Sequence, residues 1–144
     1  MLEAAPVMAV GDLNRDGKED LVVGATRMLS TSLKFGTTNG FGKSDSLDDK
    51  HSLPVSALAL TDIDADGFPE ILVGRNTFGR TQSSEKTLQL YKNNKGIQFS
   101  PQVSFFPGTM GSIGCLAVDA DKSEAVTRIF AGSRIRKEEY PLSD

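Results

Sequence analysis

A chain of 144 residues has room for one compact domain or a few stacked repeats, and 38% apolar with 24% charged residues excludes a disordered one. The formal net charge of −3, with lysines and arginines scattered along the chain, leaves no basic stripe to follow a phosphate backbone; no nucleic-acid partner is expected. No apolar run approaches the roughly 20 residues of a membrane-spanning helix, so no membrane span is expected. Cys115 is the only cysteine, which rules out an intrachain disulfide. Its place in the apolar run 113–118 predicts a buried, inert thiol. Met1–Pro6 lacks the charged and apolar regions of a signal peptide and enters a strand pattern almost at once, which suggests a trimmed natural start.

In chain order the first predicted strand is Pro6-Val7-Met8-Ala9-Val10-Gly11, followed by the acidic segment Asp12–Asp20 and a second strand, Leu21-Val22-Val23-Gly24. Leu33-Lys34-Phe35 alternates apolar and polar, as a half-buried strand does, and Asn39-Gly40, whose Asn and Gly are expected to supply positive φ angles, marks a tight turn into a strand that runs to about Leu47. The polar connection 48–52 contains His51, the only histidine and most simply a solvated loop residue. The order then repeats. Pro54–Thr61 reads as a strand, Asp62–Glu70 as an acidic loop, and Ile71-Leu72-Val73-Gly74 as a strand. Leu88-Gln89-Leu90, a turn at Asn94-Lys95-Gly96 and a strand to about Phe106 complete the second unit. A third copy begins at Ser112–Asp119 and closes on Arg128-Ile129-Phe130-Ala131-Gly132.

Three repeats are therefore expected, at 1–53, 54–111 and 112–144, the last incomplete. Their first acidic residues, Asp12, Asp62 and Asp119, are separated by 50 and 57 residues, a period that suits a four-stranded propeller blade better than a helical hairpin. No window holds a 3.6-residue apolar period, so the expected fold is all-β. Runs such as Ile71-Leu72-Val73, apolar on both faces, fit strands covered on two sides.

The loops carry the chemistry. Oxygen-bearing side chains occupy positions 1, 3, 5 and 9 of both: Asp12, Asn14, Asp16 and Asp20 in the first, Asp62, Asp64, Asp66 and Glu70 in the second. Calcium requires about six to eight oxygens, preferably several anionic, and alternate residues of a tight loop can turn inward around one ion. The backbone carbonyl of Lys18 or Phe68, at position 7, can add another oxygen, and Gly17 or Gly67 at position 6 permits the reversal. Asp, Asn and Gly also build ordinary turns, but three carboxylates at these positions in the first loop, and four in the second, repel one another without a cation. The expected ion is Ca2+. An EF-hand would need a bidentate Glu at position 12 and flanking helices, whereas position 12 is Val23 or Val73 within a strand run. The third loop is degraded: Asp119, Asp121 and Ser123 hold positions 1, 3 and 5, Glu124 replaces the glycine and Thr127 sits at position 9. Weak or absent calcium binding is expected there.

These residues resemble the FG-GAP repeat, also described as the VCBS-type repeat, of integrin-α-like β-propellers. Asp12 to Gly24 fits the family's Asp-x-Asn/Asp-x-Asp-Gly-x-x-Asp loop with its following apolar residues and Gly throughout; Asp62 to Gly74 fits with Glu70 for the last Asp. Gly132–Ile135 and Tyr140-Pro141-Leu142 are similar to a stretch of bacterial multi-repeat members. The resemblance implies propeller blades in which calcium braces the first two strands. It implies a secreted or cell-surface setting (extracellular or periplasmic) and a role in adhesion or in binding a protein or carbohydrate ligand. Family propellers usually have about seven blades, so three units imply a fragment of a longer protein or self-association. No catalytic constellation is present, and a non-catalytic module is expected; the alternative is the substrate-binding accessory region of a larger secreted hydrolase or lyase. Arg134–Lys137 followed by Glu138-Glu139 reads as a solvated, mixed-charge edge.

Overall fold

The computed structural model describes residues 6–25, 31–47, 53–77, 86–107, 112–121 and 126–134. They form ten strands and no helix, so no helix among them could cross a membrane. Strands β1 (Pro6–Gly11), β2 (Asp20–Ala25), β3 (Ser32–Thr37) and β4 (Gly40–Ser46) make one antiparallel meander. Strands β5 (Val55–Thr61), β6 (Glu70–Arg75), β7 (Lys86–Asn94) and β8 (Gln98–Pro107) make a second with the same order. Strands β9 (Ser112–Asp121) and β10 (Val126–Arg134) pair as a two-stranded sheet. Four-stranded antiparallel meanders of this kind are propeller-like blades. His51, Ser123, Glu124 and the charged stretch from Ile135 to Glu139 lie outside the described residues.

The side-chain period of two explains the packing. In the first meander Ala9, Val22 and Leu33 pack with Val55, Leu58 and Ile71 of the second. The opposite face of the second meander, with Ala57, Leu72 and Leu88, packs against Ile113, Leu116 and Ile129 of the third sheet. Every residue of β6 is buried, as its two-faced apolar run requires, while every residue of β4 is exposed at the outer edge. A glycine sits at each seam. An added Cβ at Gly24 would lie 2.5 Å from Val55 Cγ1, and one at Gly74 would lie 2.6 Å from Ile113 Cγ2. Both glycines let a residue at the start of the following unit press onto the backbone of the preceding one.

Two expectations are corrected. Cys115 is exposed, not buried: it alternates with Leu116 and projects on the outer face of β9, where none of the described sheets covers it. The positive φ angles of the hairpin turns fall on Gly40, Lys95 and Gly96 rather than on the asparagines.

The third connection is also built differently from the other two. The pairing of β9 with β10 continues to Asp121↔Val126, so Asp119 and Asp121 stand on a paired strand. Counting back from the closing glycine, Arg128 takes the place of Asp20 and Glu70, and it binds Asp119 at 3.3 Å.

The seam glycines make the packing testable. Gly24→Ala is expected to cost about 1–3 kcal/mol, the usual penalty of overpacking, because the nearest atoms belong to a buried β-branched side chain. Urea unfolding of the variant beside the parent measures it; an unchanged midpoint would mean the two meanders separate readily.

Candidate metal centre

Each acidic loop joins the first two strands of its meander, and the same backbone devices shape both. Position 4 adopts a left-handed conformation, with φ 60° at Arg15 and 59° at Ala65; so does position 6, with φ 83° at Gly17 and 89° at Gly67. Left-handed backbone at a residue with a Cβ is uncommon and costs about 1–2 kcal/mol, so the surrounding hydrogen bonds must hold it. In the first loop Asp12 accepts from the backbone N–H of Asp16 at 3.1 Å and of Gly17 at 2.9 Å. Asn14 Oδ1 accepts from Asp16 N at 3.1 Å, and Asp16 accepts from Lys18 N at 2.9 Å. The second loop repeats three of these bonds: Gly67 N to Asp62 at 2.9 Å, Asp66 N to Asp64 at 3.3 Å and Phe68 N to Asp66 at 2.9 Å.

The ninth residue closes each loop from inside. Asp20 is fully buried; one oxygen accepts from Leu13 N at 2.7 Å and the other from Gly36 N on β3 at 2.7 Å. Glu70, 1% exposed, does the same with Ile63 N at 2.8 Å and Asn93 N on β7 at 3.5 Å. A buried carboxylate tolerates its charge only with donors of this kind. Burial still pushes the Glu70 carboxyl above its ordinary value; the N–H groups of Ile63 and Asn93 oppose that, and the charges of Asp66 and Asp62 add to it. Asp16 moves the other way, held below the ordinary range first by the Lys18 N–H and also by the Lys18 charge.

Residues 4–40 match the FG-GAP repeat. That family builds β-propeller-type interaction modules, and the match takes in the whole first loop with β1 to β3. No curated protein and no solved structure matches the chain significantly. The second loop lies beyond the matched residues but shares the FG-GAP loop's backbone and its buried closing acid.

A cation fits the second loop on two observations. Carboxylate oxygens of Asp62, Asp64 and Glu70 all lie within 4.8 Å of one another, and Asp62 Oδ1 is shut off from solvent without accepting a hydrogen bond from any described residue. An orphaned buried carboxylate oxygen is costly unless a positive charge stands beside it. In the first loop the carboxylates of Asp12 and Asp16 turn onto backbone N–H groups as described. Asp66 joins the second cluster through Lys92, whose Nζ is 3.1 Å from Asp66 and 3.5 Å from Glu70 and also contacts Asp64.

Sequence reasoning missed the side chains that join the two loops. Asn93 Nδ2 donates to Leu13 O at 2.8 Å and to Pro69 O at 2.9 Å, one carbonyl from each loop. Its Oδ1 accepts from Gly96 N at 2.7 Å, and Gly96 packs so closely on Asn14 that a Cβ there would collide with it. Arg15 crosses from the first loop to lie over the Phe68 ring, 5.4 Å from its centroid. The repeat itself held the signal for Asn93, since it stands where the first unit has Gly36.

Removing the Asn93 amide strands two carbonyls in a buried place. Asn93→Ala is expected to lower stability by about 1–3 kcal/mol in calcium-free buffer, and Asn93→Asp by more, since an acceptor would then face two acceptors. Denaturant melts of both variants measure this, and an unperturbed Asn93→Ala protein would show that the bridge carries no weight.

Proposed function

We propose that the chain is a calcium-braced, non-catalytic propeller module acting in adhesion or in binding a protein or carbohydrate ligand. The observation that carries the reading is the pair of equivalent loops, each closed by a buried acid and each offering oxygens at positions 1, 3, 5 and 9. Asp12, Asn14, Asp16, Asp20 and the Lys18 carbonyl would hold one ion. Asp62, Asp64, Asp66, Glu70 and the Phe68 carbonyl would hold the other. Calcium supplies the positive charge that lets these carboxylates converge; the chain's part is to hold the loop at the mouth of the β1–β2 or β5–β6 hairpin. A secreted or cell-surface setting accords with such loops, since extracellular calcium at millimolar levels suits modest affinity.

Titration of chelator-stripped protein with calcium chloride is expected to reveal two sites with dissociation constants on the order of 10⁻⁴ to 10⁻³ M. Asp16→Ala and Asp66→Ala should each remove one. Only the folded chain assembles the ligands, so calcium at tenfold excess over Kd should add about 1.4 kcal/mol per site, with magnesium doing less. Absence of binding at millimolar calcium, or equal thermal shifts from the two ions, would refute the reading.

We also propose that copies of the chain associate head to tail. Met8 and Val10, 60% and 59% exposed, stand at the register positions where the second meander uses Leu58 and Leu60 to receive its neighbour. At the other end Phe130, 57% exposed, occupies the position of the buried Leu72. These unlike faces complement each other as consecutive units do, which makes the contact heterologous. Light scattering over a dilution series should show association that Phe130→Ser weakens. A monodisperse parent at micromolar concentration, unchanged by calcium, would exclude it.

A further inference from the structure

The two loops differ in what stands across from the closing acid. One residue beyond the pair Leu21↔Lys34 of β2 and β3, the first unit places Phe35 beside Asp20, and Phe35 packs into the core. One residue beyond the pair Ile71↔Tyr91 of β6 and β7, the second unit places Lys92 beside Glu70. Lys92 is half-buried, and its ammonium meets Asp64, Asp66 and Glu70 together. The cation within the first loop makes a different contact: Lys18 reaches Asp16 alone, at 3.5 Å between exposed side chains, where an ion pair is worth little. Arg15 is turned across to Phe68.

We propose that Lys92 is a tethered competitor for the second calcium site, so that this loop holds its shape without calcium and binds it more weakly than the first. The inference deepens the calcium reading and depends on it. An ammonium brings one charge and three donors, enough to draw three carboxylates together. Calcium brings two charges and accepts six to eight oxygens. Lys92 is therefore an incomplete substitute. It leaves Asp62 Oδ1 buried without a partner, the position a divalent ion would satisfy. For calcium to enter, the ammonium must leave its three carboxylates, and that displacement subtracts from the affinity. Because the stem of Lys92 is flexible and its side chain is 27% exposed, it can swing to solvent without moving β7. At the corresponding place the first unit has Phe35, which brings no charge to its loop.

Calorimetric titration with calcium chloride separates the sites. Asp66→Ala reports the first loop and Asp16→Ala the second, and the second is expected to bind several-fold more weakly. Adding Lys92→Met to the Asp16→Ala protein keeps the stem and removes the charge; calcium should then bind about tenfold more tightly or better, given the strength of charge pairs at 3–4 Å. Lys92→Arg, which keeps the charge, should not tighten it. In chelator, Lys92→Met should melt below the parent, and calcium should raise its melting temperature by more than it raises the parent's. An affinity at the second loop within twofold of the Asp16→Ala parent, while the first loop still binds, overturns the role of Lys92 and leaves the calcium reading standing. Absence of binding at both loops in every variant overturns both.

Discussion

The arrangement depends on a carboxylate placed where water cannot reach it. Asp20 and Glu70 each sit at the end of an acidic loop and at the first residue of an inner strand, with one oxygen tied to the second residue of the loop and the other to the neighbouring strand. A buried, ionisable oxygen left without a donor is costly, so these bonds are enforced rather than optional. They join loop, second strand and third strand at one point. The left-handed turns at positions 4 and 6 follow, because the chain must reverse to bring the second residue back to the ninth. The remaining oxygens of the loop are thereby gathered on its inner side.

A second constraint acts between units. Each meander buries the face toward the next unit by taking a side chain of that unit onto a glycine of its own second strand, Val55 on Gly24 and Ile113 on Gly74, and among the described sheets only the second meander is covered on both faces. At the same edge the acidic loops are brought together, with Asn93 donating to both and Arg15 crossing from one to the other. The stacking of sheets and the geometry of the loops are thus one structure.

The third connection lacks the closing acid. With Arg128 at that position, the strand pair zips past Asp119, which becomes a salt-bridge partner on the sheet surface. The two loops that share a turn geometry are the two that keep the buried carboxylate, whereas the leading aspartates of the third connection stand on a paired strand.

The alternation of apolar residues, the spacing of glycines and the repetition of Asp-x-Asn/Asp-x-Asp-Gly were sufficient to read strands, turns and loops along the chain, because each is a local property of a few adjacent residues. The same text gave the closing acids their place, since Asp20 and Glu70 immediately precede apolar strand runs. What it could not reveal was which distant side chain stands across a strand. Lys92 lies 22 residues beyond Glu70 in sequence yet beside it in space, and Asn93 bridges carbonyls 80 and 24 residues away. Neither has a local signature, because a lysine or asparagine in a strand is ordinary until register sets it opposite a carboxylate or a carbonyl. The exposure of Cys115 escaped for a related reason. Its apolar neighbours describe a buried strand, but burial of the outer face depends on whether another sheet covers it. Local chemistry determined the loops and the strands; only the register and stacking of the sheets decided how the two loops differ and which surfaces remain open.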